Sequence, residues 1–204
     1  MNEYHIITIE REYASGGREI GKILAQKLGV PFYGNEILQI AAERTDTTPE
    51  YLEHLEETAT NSLLYSLYMM ASASSGGVGG LSSADRLSLV EGEIIKEIAA
   101  QGDCVIVGRC AGWLLRERTD CFNVFIHSDP ALRRKRAVEC YGIDPKRADS
   151  VLRRFDKRRS NFYNANSNRS WKDITGYHMV LDSGRLGVSA CADIIAEAVR
   201  QPRR

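Results

Sequence analysis

Arginines, glycines and a few carboxylates carry the chemistry-bearing pattern of this sequence. Between Ile6 and Leu28 the chain reads IITIEREYASGGREIGKILAQKL. Ser15, Gly16 and Gly17 form a polar turn flanked by Arg11 and Arg18, with Glu19 next in line. Glycines let backbone N–H groups approach an anion, and a guanidinium donates to two phosphate oxygens while staying charged. A Gly-Arg pair recurs at Gly108-Arg109. Between Arg133 and Lys172 stand 13 Lys/Arg against 4 Asp/Glu, in a chain whose 27 basic and 27 acidic residues cancel overall. That local excess points to an anionic ligand meeting one segment, the alternative being an exposed helix of solvated arginines.

The elements that position these residues follow from periodicity and turn chemistry. Ile6 to Ile9 reads as a β-branched strand, and Ile20, Ile23, Leu24 and Leu28 recur at helical spacing with Gly29 at the C-cap. Strand, glycine-bearing turn and helix together present N–H groups and a helix N-terminus to a phosphate. Val30 to Gly34 predicts the end of a second strand, and Asn35 caps a helix through about Arg44. Thr48-Pro49-Glu50 is a stronger helix start, followed by a stripe of Leu52, Leu55, Ala59, Leu63 and Leu67. Ala71 to Ser83 is expected to be a mobile loop, and Ser82 with Asp85 has capping-box spacing. The next helix carries Leu87, Val90, Ile94, Ile95 and Ile98.

Cys104 to Gly108 reads as a buried parallel strand, followed by a short helix from about Cys110 to Arg116 and a strand over Phe122 to Ile126. Asp129-Pro130 caps an arginine-rich helix, and Asp144-Pro145 starts another that runs to about Phe162. Tyr177 to Leu181 is the last strand and Val188 to Arg200 the last helix. Strands alternating with helices predict a parallel sheet covered on both faces, with ligands at the carboxyl ends of the strands. Those ends carry Glu10-Arg11, Gly108-Arg109, His127-Ser128-Asp129 and Asp182-Ser183.

Other chemistries find little support. Five cysteines form no CxxC pair, and the four histidines are scattered, so neither zinc nor a protein-held metal cluster is expected. Cys104, Cys121 and Cys191 lie in apolar patterns and read as buried hydrophobes in a reducing compartment. There is no signal peptide and no apolar run long enough to span a bilayer, which predicts a cytoplasmic protein. No Ser/His/Asp pattern stands out. The basic segment lacks the interleaved aromatics of a nucleic-acid module, and Trp113 and Trp171 read as packing residues.

Several blocks together resemble the cytidylate kinase-like branch of the nucleoside monophosphate kinases, in the P-loop superfamily. They are Thr8 to Tyr13 with Ser15 to Gly21, Pro31-Phe32-Tyr33, Val105 to Arg109, Arg159 with the Tyr163 region, and Val180 to Gly187. The resemblance implies a single nucleotide-kinase-like α/β domain over residues 1–204 with a five-stranded parallel sheet flanked by helices. Its core would comprise residues 1–32, 102–132 and 173–204, with a helical acceptor-binding insertion at 33–101 and an arginine-rich lid at 133–172. It implies ATP with Mg2+ as donor and a nucleoside monophosphate, CMP or dCMP first, as acceptor. Phosphoryl transfer of that kind needs positioning and charge stabilisation more than a nucleophilic side chain.

Residue by residue, Ser15, Gly16, Gly17, Arg18 and Glu19 would hold the donor phosphates, with Arg133 and Arg136 reaching them from the lid. Arg109 matches the arginine of a Gly-Arg-Asp motif that holds the acceptor phosphate, although the aspartate is Cys110 here. Asp156 and Arg159 match the lid's Asp-x-x-Arg, and Tyr33 belongs to the acceptor side. The phosphate loop itself departs from G-x-x-x-x-G-K-[ST]. Gly17 stands where the lysine belongs, and Arg18-Glu19 replace the residues that follow it, including the hydroxyl that ligates magnesium. Arg11 or Arg18 could then supply the charge, and Glu19 could approach the metal through water or serve as a first-turn acid of the helix. Two other readings stay open. One is an anion-binding module that has lost transfer and acts through a partner; the other is a kinase of another small acceptor.

Overall fold

The computed structural model describes residues 4–52 and 83–200. Two compact units make up the chain, Met1–Gly34 with Ile98–Arg204, and Asn35–Glu97. The first contains a five-stranded sheet of β1 (Ile6–Arg11), β2 (Phe32–Tyr33), β3 (Cys104–Val107), β4 (Cys121–His127) and β5 (Met179–Asp182). All pairings are parallel, in the order β2-β3-β1-β4-β5. β1 is therefore central, and the connections from it and from its neighbours leave on opposite sides. A crevice forms at the carboxyl end of such a strand, which is where Arg11 and the glycine turn lie.

The run of buried residues along β1 and β3 reflects a sheet covered on both faces. On one face Ile7, Ile9, Val105, Val107, Val124 and Ile126 pack with α1 (Gly17–Leu28) and the C-terminal helix. Gly21 brings α1 close to the sheet: a methyl group there would lie 2.7 Å from Val107 Cγ2 and 3.0 Å from Phe32 Cε2. On the other face Phe125 packs with Cys110, Tyr163 and the fully buried Trp171.

The unit at Asn35–Glu97 includes α2 (Glu36–Thr45), a helical turn opening at Pro49, and most of α3 (Ser83–Gln101). The Thr48 hydroxyl accepts from Tyr51 N at 3.3 Å, the expected cap. Ile37, Leu38, Ala41 and Ala42 of α2 and Leu87, Ile94 and Ile95 of α3 are buried, and Arg44 pairs with Glu97. The stripe at Leu55, Ala59, Leu63 and Leu67 lies outside the described residues, as do 71–82 and the Asp85 side chain; Ser83 opens α3.

The remaining helices are α4 (Ala111–Leu114), α5 (Pro130–Glu139), α6 (Ala148–Ser167), α7 (Ser183–Leu186) and α8 (Val188–Arg200). Asp129 caps α5 by accepting from Ala131 N at 2.8 Å. Asp144-Pro145 does not open α6. The Asp144 carboxylate instead accepts from Lys146 N at 2.9 Å, closing a separate turn, and the helix begins at Ala148. α6 also continues past Phe162 to Ser167, stopping where Asn168 takes a left-handed conformation and donates to Asn164 O. β5 begins two residues later than Tyr177, after His178 N bonds Asn123 O at 2.8 Å. α7 has no periodic signal in so short a segment; the Asp182 carboxylate creates it by capping Gly184 N and Arg185 N. No described helix is long and apolar enough to cross a membrane.

Candidate active site

The turn after β1 is built to leave a helix N-terminus open. Ala14 and Gly16 take positive φ values of 58° and 82°, which swing the chain from strand into α1. Ser15 is buried and turned inward, its hydroxyl donating to Glu12 O at 2.9 Å. From the end of β5, Ser183 Oγ donates to Ser15 O at 2.5 Å and lies 3.0 Å from His127 O, tying the loop to the sheet. Gly16, the N-cap, supplies no side chain, so among the described residues no side chain caps the first-turn N–H groups of α1 from that position. An anion fits there, favoured by the helix dipole.

Guanidinium groups surround this turn. The Arg11 side chain runs beside Gly17, and its guanidinium lies against Gly108. The guanidinium of Arg136, from α5, occupies the space a side chain at Gly16 would need. Arg159, from α6, donates to Arg11 O at 3.0 Å and lies 5.5 Å from the Tyr13 ring centroid. Burial lowers the Arg159 pKa to about 9, and the neighbouring Arg11 adds to that. A guanidinium stays protonated at neutral pH even so, and Asp156 and Glu10 offset only part of the cost. A bound polyanion would relieve it.

Carboxylates hold the loop rather than lining an open base site. Glu10 accepts from Cys110 N at 3.2 Å and from Trp171 Nε1 at 3.1 Å. Glu12 accepts from Ser128 N at 3.3 Å and from Lys172 Nζ at 2.6 Å, with Arg133 Nε 3.5 Å away. Asp156 accepts from Tyr13 N at 2.7 Å and from Arg133 Nη1 at 2.5 Å. Arg133 also donates to Tyr13 O at 3.2 Å, so Arg133 and Asp156 together clamp both backbone groups of Tyr13. Tyr13 is stacked on Phe155 at 4.4 Å and meets Tyr141 edge-on at 5.8 Å. Tyr141 in turn donates to Glu19 Oε1 at 2.9 Å, while Glu19 Oε2 is buried without a hydrogen-bond partner.

The structure thus brings Arg11, Ser15, Gly16, Gly17, Glu19, Arg136 and Arg159 to one place. Arg18 stands in the first turn of α1, partly buried. Arg109 closes β3 in a strained turn, with Gly108, Arg109 and Cys110 all at positive φ (87°, 55° and 56°). Arg133 and Asp156 lie in a buried ion pair against Tyr13. Tyr33 ends β2, half-buried and in register with Ile106. Cys110, in place of an acid, is buried, and burial followed by Glu10 pushes its thiol well above the usual range. Sequence reasoning missed Glu12, Tyr141, Trp171, Lys172 and Ser183 as builders of the loop. Only the Glu10-x-Glu12 alternation at the strand end hinted at paired inward carboxylates. Among the described residues, no group of three or more His, Cys, Asp or Glu is arranged to hold a metal ion.

Residues 6–185 match the model of the cytidylate kinase-like family. The chain belongs to that family. A cytidylate kinase of Methanococcus vannielii is 24% identical to this family member over 201 residues, covering 96% of this chain and 99% of that protein. Among solved structures, an uncharacterized protein from Eubacterium ventriosum aligns with TM-score 0.72 and 24% identity, covering 97% of this chain and 99% of that one. Shikimate kinase from Bacteroides thetaiotaomicron follows the same fold with TM-score 0.54 and 16% identity, over 96% and 98% of the two chains. This member of the cytidylate kinase-like family has the P-loop kinase fold, with five parallel strands flanked by helices as the sequence reading expected.

Proposed function

We propose that this protein is an ATP-dependent nucleoside monophosphate kinase, with CMP or dCMP as first acceptor. One observation supports the reading most strongly. The open helix N-terminus is ringed by guanidinium groups, whereas Glu10, Glu12 and Asp156 each have both carboxylate oxygens occupied, and Glu19, whose one unpartnered oxygen is buried there, is held by Tyr141. A kinase acting on a hydroxyl needs a group to take its proton; a phosphate acceptor arrives already ionised and needs only positive charge. In the proposed reaction an acceptor phosphate oxygen bonds to the γ-phosphorus of ATP as the bond to the ADP oxygen breaks, giving ADP and the nucleoside diphosphate. The loop N–H groups with Arg136 would hold the donor, Arg109 the acceptor phosphate, and Arg159 the charge that spreads over the phosphoryl group in flight. Tyr33 and the helical unit at Asn35–Glu97 would set acceptor identity.

Magnesium would enter with ATP, which supplies most of its ligands together with water. Glu19 Oε2 is a carboxylate oxygen at the loop that lacks a hydrogen-bond partner, and Glu19 is the residue suited to meet that ion through water. When bound, the ion would neutralise phosphate charge. The test is a coupled assay of ADP release with ATP, Mg2+ and a panel of ribo- and deoxyribonucleoside monophosphates, with shikimate and gluconate as hydroxyl acceptors. Turnover on a pyrimidine monophosphate supports the reading; turnover confined to a hydroxyl acceptor, or none with ATP bound, defeats it.

A further inference from the structure

We infer that Arg11 takes over the charge of the missing loop lysine, and that position 17 is glycine because the side chain at position 11, from its Cβ outward, fills the space. The inference deepens the proposed function and rests on its premise that the loop binds a triphosphate. Gly17 is absent from the residues with positive φ, so its backbone would accept any L-residue. Conformation therefore does not explain the glycine. Space does: a methyl group at position 17 would lie 2.6 Å from Arg11 Cβ and 2.9 Å from its Cγ, nearer than packed carbon atoms approach. A side chain at 17 thus meets the Cβ of any residue but glycine at position 11, and the Cγ of Arg11 as well.

What Arg11 does with that space fits the lysine's task. Its side chain leaves the end of β1, passes α1 at its first residue, and sets its guanidinium against Gly108. A side chain at 108 would overlap the guanidinium, with Cζ at 2.9 Å and Nη2 at 3.2 Å from the added carbon. Gly108 immediately precedes Arg109. The guanidinium thus stands between the donor loop and the turn that carries the acceptor arginine, the span a transferring phosphoryl group must cross. Arg159 fixes the base of this residue by donating to Arg11 O at 3.0 Å. In a lysine-bearing loop the cation comes from the helix. Here it comes from the strand, as a planar fork able to hold two phosphate oxygens.

The test is a reciprocal exchange, measured as kcat and KM for ATP alongside ATP affinity by calorimetry and melting temperature. Arg11→Ala should lower kcat about 10²–10³-fold, as removal of a donor to transition-state charge does, with melting little changed. Gly17→Lys alone should also lose activity, because Arg11 is displaced. The double variant R11G/G17K, which also clears the Cβ at position 11, should recover at least about tenfold over R11A, the gain expected of restoring one charge-assisted contact. Arg11→Lys keeps charge in a smaller side chain and should lie between wild type and R11A. Wild-type kcat in R11A, or a folded double variant no better than R11A, would overturn the inference. Absence of turnover in the wild type is a separate failure, that of the proposed function. ATP affinity then decides for Arg11: a loss of tenfold or more in R11A regained in R11G/G17K upholds the exchange, and unchanged affinity removes it.

Discussion

Replacing Arg159 by Met should stabilise the free protein and weaken its response to ATP. The guanidinium pKa falls from 12.5 to about 9 through burial and the nearby Arg11. At about 1.4 kcal/mol per unit, this puts the cost of holding the charge at about 3–5 kcal/mol. Because the folded pKa lies below the unfolded one, that cost is fully present below about pH 9 and fades as pH rises from about 9 towards 12.5. Methionine removes it, while giving up the bond to Arg11 O and the contact with the Tyr13 ring, together worth about 2–3 kcal/mol. The net expectation is a gain of about 0–3 kcal/mol, and at its midpoint of about 1.5 kcal/mol a rise of about 3–6 °C in melting temperature for a chain of this size. Saturating ATP stabilises a binding protein by about 2.7 kcal/mol at a hundred times Kd, and a variant with tenfold weaker affinity forgoes about half of that. Thermal melting at pH 7.5 with and without ATP reads both effects. A variant that melts lower than wild type and keeps the whole ATP-induced shift would refute the reasoning.

Other substitutions probe the clamp, the core and the acceptor side. Asp156→Ala leaves Arg133 with the Tyr13 carbonyl and the more distant Glu12 and removes the acceptor for Tyr13 N, so urea unfolding should show a loss of about 2–4 kcal/mol. Trp171→Phe deprives the buried Glu10 carboxylate of its indole donor, with an expected loss of about 1–3 kcal/mol by the same measurement. Gly21→Ala should cost about 1–3 kcal/mol by pushing α1 off Val107 and Phe32, with kcat falling because the loop moves with its helix. Arg109→Ala should raise KM for the monophosphate and lower kcat while leaving ATP affinity within about threefold; unchanged kinetics would remove its acceptor role.

The sheet and its helices were legible because their signals are local and repeated. The β-branched run at Ile6–Ile9 and the apolar run at Cys104–Val107 each specify a strand covered on both faces. Val188–Arg200 carries a strong helical stripe and was placed to the residue. The miss at Asp144-Pro145 is also local in origin: aspartate followed by proline suits both a helix start and a turn, and the Lys146 bond decided between them. The candidate site was legible as a set of cations but not as an arrangement. Arg133 and Arg136 are three residues apart on one helix, yet one is buried against Tyr13 and the other lies over Gly16. Ser15, Ser183 and Lys172 come from distant parts of the chain, and no spacing in the sequence could pair them. Gly17 looked like a lost lysine; the close approach of the position-11 Cβ and Cγ gives that glycine a physical reason.

The most direct test of the account is a single-turnover experiment with ATP labelled at the γ-phosphate, Mg2+ and enzyme in excess over CMP. The account predicts label in CDP, with ADP formed in equal amount, and a rate lowered about 10²–10³-fold in Arg11→Ala. Label released only as inorganic phosphate, or retained in ATP while ATP is bound, would contradict it.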